Sequence, residues 1–175
     1  MSGGLDVSMV IQQLVNGLAL GSVYALIALG YTMVYGIIRL INFAHGDIFM
    51  LGAYYGYFAI TMFNVPFALA LPLTMVLAAL TGMAVERLAY KPLRQAPRIA
   101  SLITAIGVSL LLQNLGLKFF EARPRPYPRI MRTVVWDLGG VVVSNVQLIM
   151  LALAVALMVL ISLIVYRTKI GKAMR

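Results

Sequence analysis

From Val146 to Tyr166 the chain holds only two polar side chains, Gln147 and Ser162. A bilayer core of about 30 Å needs about 20 apolar residues in helical form, and this stretch supplies them. Four others reach the same length: about Val10 to Ile38, Phe43 to Phe63, Val65 to Leu88 and Ile99 to Leu117. The third contains Pro66 and Pro72. Proline is tolerated early in a helix, and within a membrane neighbouring helices satisfy the carbonyl it frees. Five such segments fill most of a chain of 175 residues, of which 62% are hydrophobic and 11% charged. A soluble domain runs at roughly 45–50% apolar and about 25% charged, and a chain this small cannot bury the excess in one core. Lipid is therefore its solvent. An ordinary soluble enzyme, a disordered tail and a nucleic-acid-binding domain are excluded. The expected fold is an all-α membrane protein: a single polytopic domain over 1–175, a bundle of about five transmembrane helices.

One extended segment interrupts the pattern, Glu121 to Asn145. It opens with Arg123-Pro124-Arg125-Pro126-Tyr127-Pro128, where prolines at every second position forbid a helix. Two β-branched runs, Thr133-Val134-Val135 and Val141-Val142-Val143, flank Asp137-Leu138-Gly139-Gly140. That pattern reads as a small hairpin between the fourth and fifth helices, and a lone hairpin needs a helical body to lie on. The N-terminus carries no positive region of the kind that opens a secretory signal.

Lys and Arg outnumber Asp and Glu by 14 to 5, and in a membrane protein this excess orients the spans. Five spans sort the flanks into two sets. One holds Arg39, Arg87, Lys91, Arg94, Arg98, Arg167, Lys169, Lys172 and Arg175, nine cations in all; the other holds Lys118, Arg123, Arg125, Arg129 and Arg132, five. The larger set is retained in the cytoplasm, which places the N-terminus and the hairpin outside and the C-terminus inside. The run from Lys91 to Arg98 fits anionic lipid headgroups.

Helices in lipid associate through close packing at small residues. Gly17 and Gly21 form one small-xxx-small pair, Gly52 and Gly56 another. Either pair serves static packing or a crossing that shifts between two states. Polar groups at membrane depth face protein or a water-filled path, and the densest group is Asn42-Phe43-Ala44-His45-Gly46-Asp47. Asn42 is placed as a helix N-cap. Asp47 falls in the early turns, where the helix dipole favours an anion. His45 can pair with Asp47 or titrate near neutrality, and a proton relay is the sharpest form of that idea. The same residues equally describe a capped helix start at the interface. Gln113 and Asn114, deep in the fourth span, either meet substrate or bond a neighbouring helix. Gln12, Gln13 and Asn16 read as interfacial. Tyr24, Tyr31, Tyr35, Tyr54, Tyr55 and Tyr57 read as inward-facing, because their hydroxyls need partners.

No residues suggest catalysis or a cofactor. There is no cysteine and a single histidine, so thiol chemistry and a multi-histidine metal site are absent. No Gly-x-x-x-x-Gly-Lys-[Ser/Thr] loop, His-Glu-x-x-His or Gly-x-Ser-x-Gly occurs. A conduit fits this inventory better than an enzyme.

Four stretches together carry a family likeness: Gly17 to Gly36; Ile41 to Asp47 followed by Met50-Leu-Gly-Ala-Tyr54; Glu86-Arg-Leu-Ala-Tyr-Lys-Pro-Leu-Arg94; and Ile103 to Asn114. The chain closely resembles the permease subunit of high-affinity branched-chain amino acid ABC importers over essentially its whole length. The Asn-Phe-Ala-His-Gly-Asp run is specific to that family but does not separate leucine systems from relatives that carry urea or short amides. The resemblance implies a bacterial inner-membrane protein. Its partners would be a second permease subunit, two cytoplasmic ATPase subunits and a periplasmic substrate-binding protein. ATP hydrolysis would lie in those partners. Family members are typically near twice this length, so the likeness implies an N-terminal part whose ATPase-coupling helix lies beyond Arg175. A fragment without transport of its own is then the alternative to a working permease subunit.

Overall fold

The computed structural model describes residues 7–38, 42–93, 95–121 and 123–168, with only the backbone at Ile37, Ile38 and Arg98. Arg39, Arg94, Lys169, Lys172 and Arg175, which enter the charge count, lie outside the described residues, as does the Arg98 side chain. Five α-helices and one two-stranded sheet form two compact units, one of residues 1–37 with 131–175, the other of 38–130.

The first unit holds α1 (Val7–Ile38), strands β1 (Val135–Asp137) and β2 (Val142–Ser144), and α5 (Asn145–Arg167). The strands pair antiparallel with Trp136 opposite Val143. The turn demands its glycines: Gly139 and Gly140 sit at φ +68° and +91°, a region that L side chains rarely adopt. The Asp137 carboxylate accepts the Gly140 N–H at 2.8 Å.

As expected, the hairpin is held by a helix. Gln12 of α1 supplies both halves of a strand-like pairing to the free edge of β2: its Nε2 donates to the Val142 carbonyl at 2.9 Å, and its Oε1 accepts the Val142 N–H at 2.6 Å. An exposed strand edge is thereby satisfied without a third strand. Ser144 opens α5 with a reciprocal cap, accepting the Gln147 N–H while Gln147 Oε1 accepts the Ser144 N–H. Asn16 Oδ1 then accepts from both Gln12 and Gln147. Gln12 and Asn16, read from sequence as interfacial, are the clamp of this unit.

The second unit holds α2 (His45–Thr61), α3 (Phe67–Val85) and α4 (Arg98–Phe120). Past Val85 the chain stays helical through a π turn at Glu86–Tyr90 and a 3-10 turn at Lys91–Leu93. The start of α2 differs from expectation. The N-cap is Ala44, with no side-chain cap, and Asn42 stands two residues earlier. Its Oδ1 accepts the Ala44 N–H at 3.1 Å and the Tyr90 hydroxyl at 2.6 Å, so it closes an Asx turn and ties that turn to the end of α3. α2 ends at Thr61, and just beyond it Asn64, at a φ of +50°, reverses the chain before Pro66.

Length separates α2 from the rest. Four helices are long and apolar enough to cross a membrane: α1, α3 with its extension, α4 and α5. The second expected span, 43–63, is helical only over the 17 residues of α2, about 25 Å at 1.5 Å per residue.

Small residues bring α2 and α3 together. A Cβ on Gly52 would stand 3.8 Å from that of Ala78, and one on Gly56 would stand 3.4 Å from Thr74 Oγ1 and 2.6 Å from the Tyr127 hydroxyl. Tyr55 and Thr81 share a hydrogen bond of 3.0 Å across the same seam. Against α4, the core is Ala44, Leu51 and Leu112, with Ile48, Met50 and Val108 around it. Tyr54 stacks on Phe120 at 4.2 Å. Arg125 donates to the Phe120 carbonyl at 2.9 Å and lies 5.6 Å from the Phe58 ring centre, so the proline-rich segment is strapped to the end of α4. Burial pushes the Tyr127 phenol above its ordinary pKa, keeping it a neutral hydroxyl. The Tyr55 hydroxyl has a partner as expected, Tyr54 and Tyr57 make ring contacts, and Tyr24 and Tyr35 are exposed. Gly17 and Gly21 have nothing within 4 Å of an added Cβ.

Two outcomes follow from this packing. Gln12→Ala removes both bonds to Val142 and is expected to cost the hairpin about 1–2 kcal/mol. Hydrogen–deuterium exchange in detergent should show faster exchange across 134–144 and unchanged protection in α2. Gly56→Leu overpacks the α2–α3 seam and should destabilise by about 1–3 kcal/mol. Gly17→Leu and Gly21→Leu meet open space, and thermal unfolding in detergent should leave both with the parent Tm.

Candidate functional site

Three polar side chains of the second unit come together where α2 and α4 meet. Asp47 lies in the first turn of α2 and is 8% exposed. The positive end of the helix dipole acts on it there. Ser109, on α4, donates to Asp47 Oδ2 at 2.5 Å, and Gln113, one turn further along α4, donates to Ser109 Oγ at 3.1 Å. A polar thread thus runs from exposed Gln113 through half-buried Ser109 to buried Asp47.

Helical spacing lays out the α4 side of this seam. Ser101, Ala105, Leu112 and Gly116 are buried, four, seven and four residues apart, on one stripe. Met50 Cε of α2 stands 3.1 Å from where a Cβ on Gly116 would be. Ser109 stands one turn after Ala105 and belongs to the same side of the helix.

Not all the residues singled out from sequence join this thread. Asn42 is bonded to Ala44 and Tyr90 rather than to Asp47. Asp47 takes a hydrogen bond from Ser109 of α4. Asn114 returns its Nδ2 to the Leu110 carbonyl of its own helix at 2.7 Å. Gln113 makes the link toward α2 that an interhelical role requires, but only through Ser109. Sequence reasoning missed Ser109 and Tyr90. Ser109 was legible as a hydroxyl four residues before Gln113, the spacing that places two side chains on one helix face. Tyr90 had no such signal, because a turn of π-helix positions it. Among the described residues, no three His, Asp or Glu side chains come close enough to hold a metal.

Comparison with known proteins gives this arrangement a family. Residues 13–175 match the family described as branched-chain amino acid transport system / permease component. The high-affinity branched-chain amino acid transport system permease protein BraD of Pseudomonas aeruginosa is 40% identical over 177 aligned residues, covering 94% of this chain and 58% of BraD. The corresponding LivH proteins of Escherichia coli K12 and Salmonella typhimurium are 46% identical over 112 residues, covering 59% of this chain and 36% of theirs. This chain therefore spans little more than half the length of the first relative and about a third of the others. No solved structure gives a significant match. With a family match over nearly its whole length and four helices fit to cross a bilayer, the chain belongs to the branched-chain amino acid transport system permease family and is a multi-pass membrane protein.

Proposed function

We propose that this chain acts as a permease subunit of an ATP-driven importer for branched-chain amino acids, with the α2–α4 seam as part of the translocation path. The observation that carries the path is the thread from Gln113 to Asp47. Gln113 is exposed within an apolar span, Ile99–Phe120. An amide there is costly in hydrocarbon, so this face of α4 meets water or another protein. Alternating access uses such a face: it lies against a neighbour in one state and against a solute in the other.

The chain itself does no bond chemistry. A second permease subunit completes the path, two cytoplasmic ATPase subunits drive it, and a periplasmic binding protein delivers the amino acid. The family name of the relatives and the 40–46% identities support that assembly. The cation count supports an inner-membrane topology with the N-terminus and the hairpin outside and the C-terminus in the cytoplasm.

Two measurements test this. Deleting the gene should abolish high-affinity uptake of labelled leucine and leave urea and short-amide uptake intact; loss of urea or amide uptake with leucine unaffected would reassign the substrate. The chain has no cysteine, so single replacements report topology cleanly. Leu138→Cys, at the exposed hairpin tip, should react with a membrane-impermeant maleimide in intact cells. Lys91→Cys should react only after permeabilisation, and the reverse pattern would invert the topology.

A further inference from the structure

Asp47 is a carboxylate more than nine-tenths buried, yet among the described residues no cation pairs with it. Desolvating such a charge is expensive unless it is paired and fully hydrogen-bonded. Two groups offset the cost. The Ser109 hydroxyl bonds Oδ2, and the N-terminal end of α2 supplies a partial positive charge. Oδ1 receives no described hydrogen bond. The rest of the thread has the same character. Ser109 Oγ spends its proton on Asp47 and accepts from Gln113 Nε2, which leaves one lone pair. Gln113 Nε2 has given one of its two hydrogens to Ser109, and no described bond engages its Oε1. Apart from the second Nε2 hydrogen of Gln113, the uncommitted capacity of the thread is acceptor capacity: Asp47 Oδ1, one lone pair of Ser109 and Gln113 Oε1.

An acceptor set of this kind matches a donor that carries positive charge. A primary ammonium brings three N–H donors and one unit of charge. We propose that Asp47, positioned by Ser109, is the counter-charge for a protonated amine, the α-ammonium group of the amino acid as it passes the α2–α4 seam. This rests on the permease reading above and adds to it the group that recognises the substrate's cationic end. Ser109 is a positioning residue: it fixes which carboxylate oxygen is taken and which stays open.

Carbodiimide labelling of the full chain in lipid nanodiscs, read by mass spectrometry, tests this without transport or partners. Dicyclohexylcarbodiimide should modify Asp47, and 3-methylbutylamine or leucine should protect it. The same carbon skeleton without an amine, 4-methylpentanoate, should not. The exposed carboxylates Glu121 and Asp137 serve as controls that no ligand protects. Ser109→Ala should raise the amine concentration for half-protection about threefold to tenfold. An Asp47 that never reacts, that no amine protects, or that the amine protects and leucine does not, would overturn the proposal. None of those results depends on whether gene deletion removes leucine uptake, so failure of the site and failure of the permease reading are separable.

Discussion

Polar groups are scarce in this chain, and several of its junctions rest on one side-chain oxygen serving two partners. Lipid offers no hydrogen bonds, so an unpaired polar atom at depth costs several kcal/mol. The oxygens that matter are accordingly shared. Asn16 Oδ1 accepts from two glutamines. Asn42 Oδ1 accepts from a backbone N–H and a tyrosine hydroxyl. Thr81 bonds both its own helix and Tyr55. Ser109 donates in one direction and accepts in the other. Among the described residues, no buried side-chain nitrogen or oxygen is left without a partner. Apolar contact alone drives little association between helices in lipid, so these few junctions determine which surfaces meet.

The two units spend this polarity differently. In the first, amides go to backbone: Gln12, Asn145 and Gln147 hold the hairpin edge and the head of α5. That use is structural: these bonds complete a ladder or a cap, and Asn16 ties the two glutamines together. In the second, Asp47, Ser109 and Gln113 go to one another. No backbone group needs that thread, because α2 begins at an Asx turn without it and the α4 ladder is intact.

Much of this was legible in the sequence, and the rest was not for identifiable reasons. Long apolar runs marked the helices because length and composition alone decide that a segment can cross a bilayer. The hairpin was legible from β-branched runs around Gly139 and Gly140, where the turn needs positive φ. The extent of α2 was not, since Phe43 and Phe63 continue the apolar pattern while the Asx turn and Asn64 set its ends. Gly52 and Gly56 lie against Ala78 and Thr74, but Gly17 and Gly21, with the same spacing, face open space. A small-xxx-small pattern states that a close neighbour is tolerated, not that one is present. The candidate site was half legible. Asp47 and Gln113 stood out as polar groups in apolar runs. Ser109, which joins them, had only its four-residue spacing from Gln113 to mark it, because serine is common in helices.

The exposed face of α4 carries the argument one step further. Gln113 and Asn114 are adjacent, and both are exposed, but they satisfy themselves in opposite ways. Asn114 folds its amide back to Leu110, a local bond that needs no neighbour and suits a helix facing lipid. Gln113 reaches toward Ser109 and so toward the buried charge. Successive residues on a helix point about 100° apart, so the boundary between a lipid-tolerant surface and a surface that needs water or protein falls between these two positions. A subunit partner or a solute on α4 would then lie on the Gln113 side, over the open end of the thread, and the buried carboxylate would be the last polar group met along it.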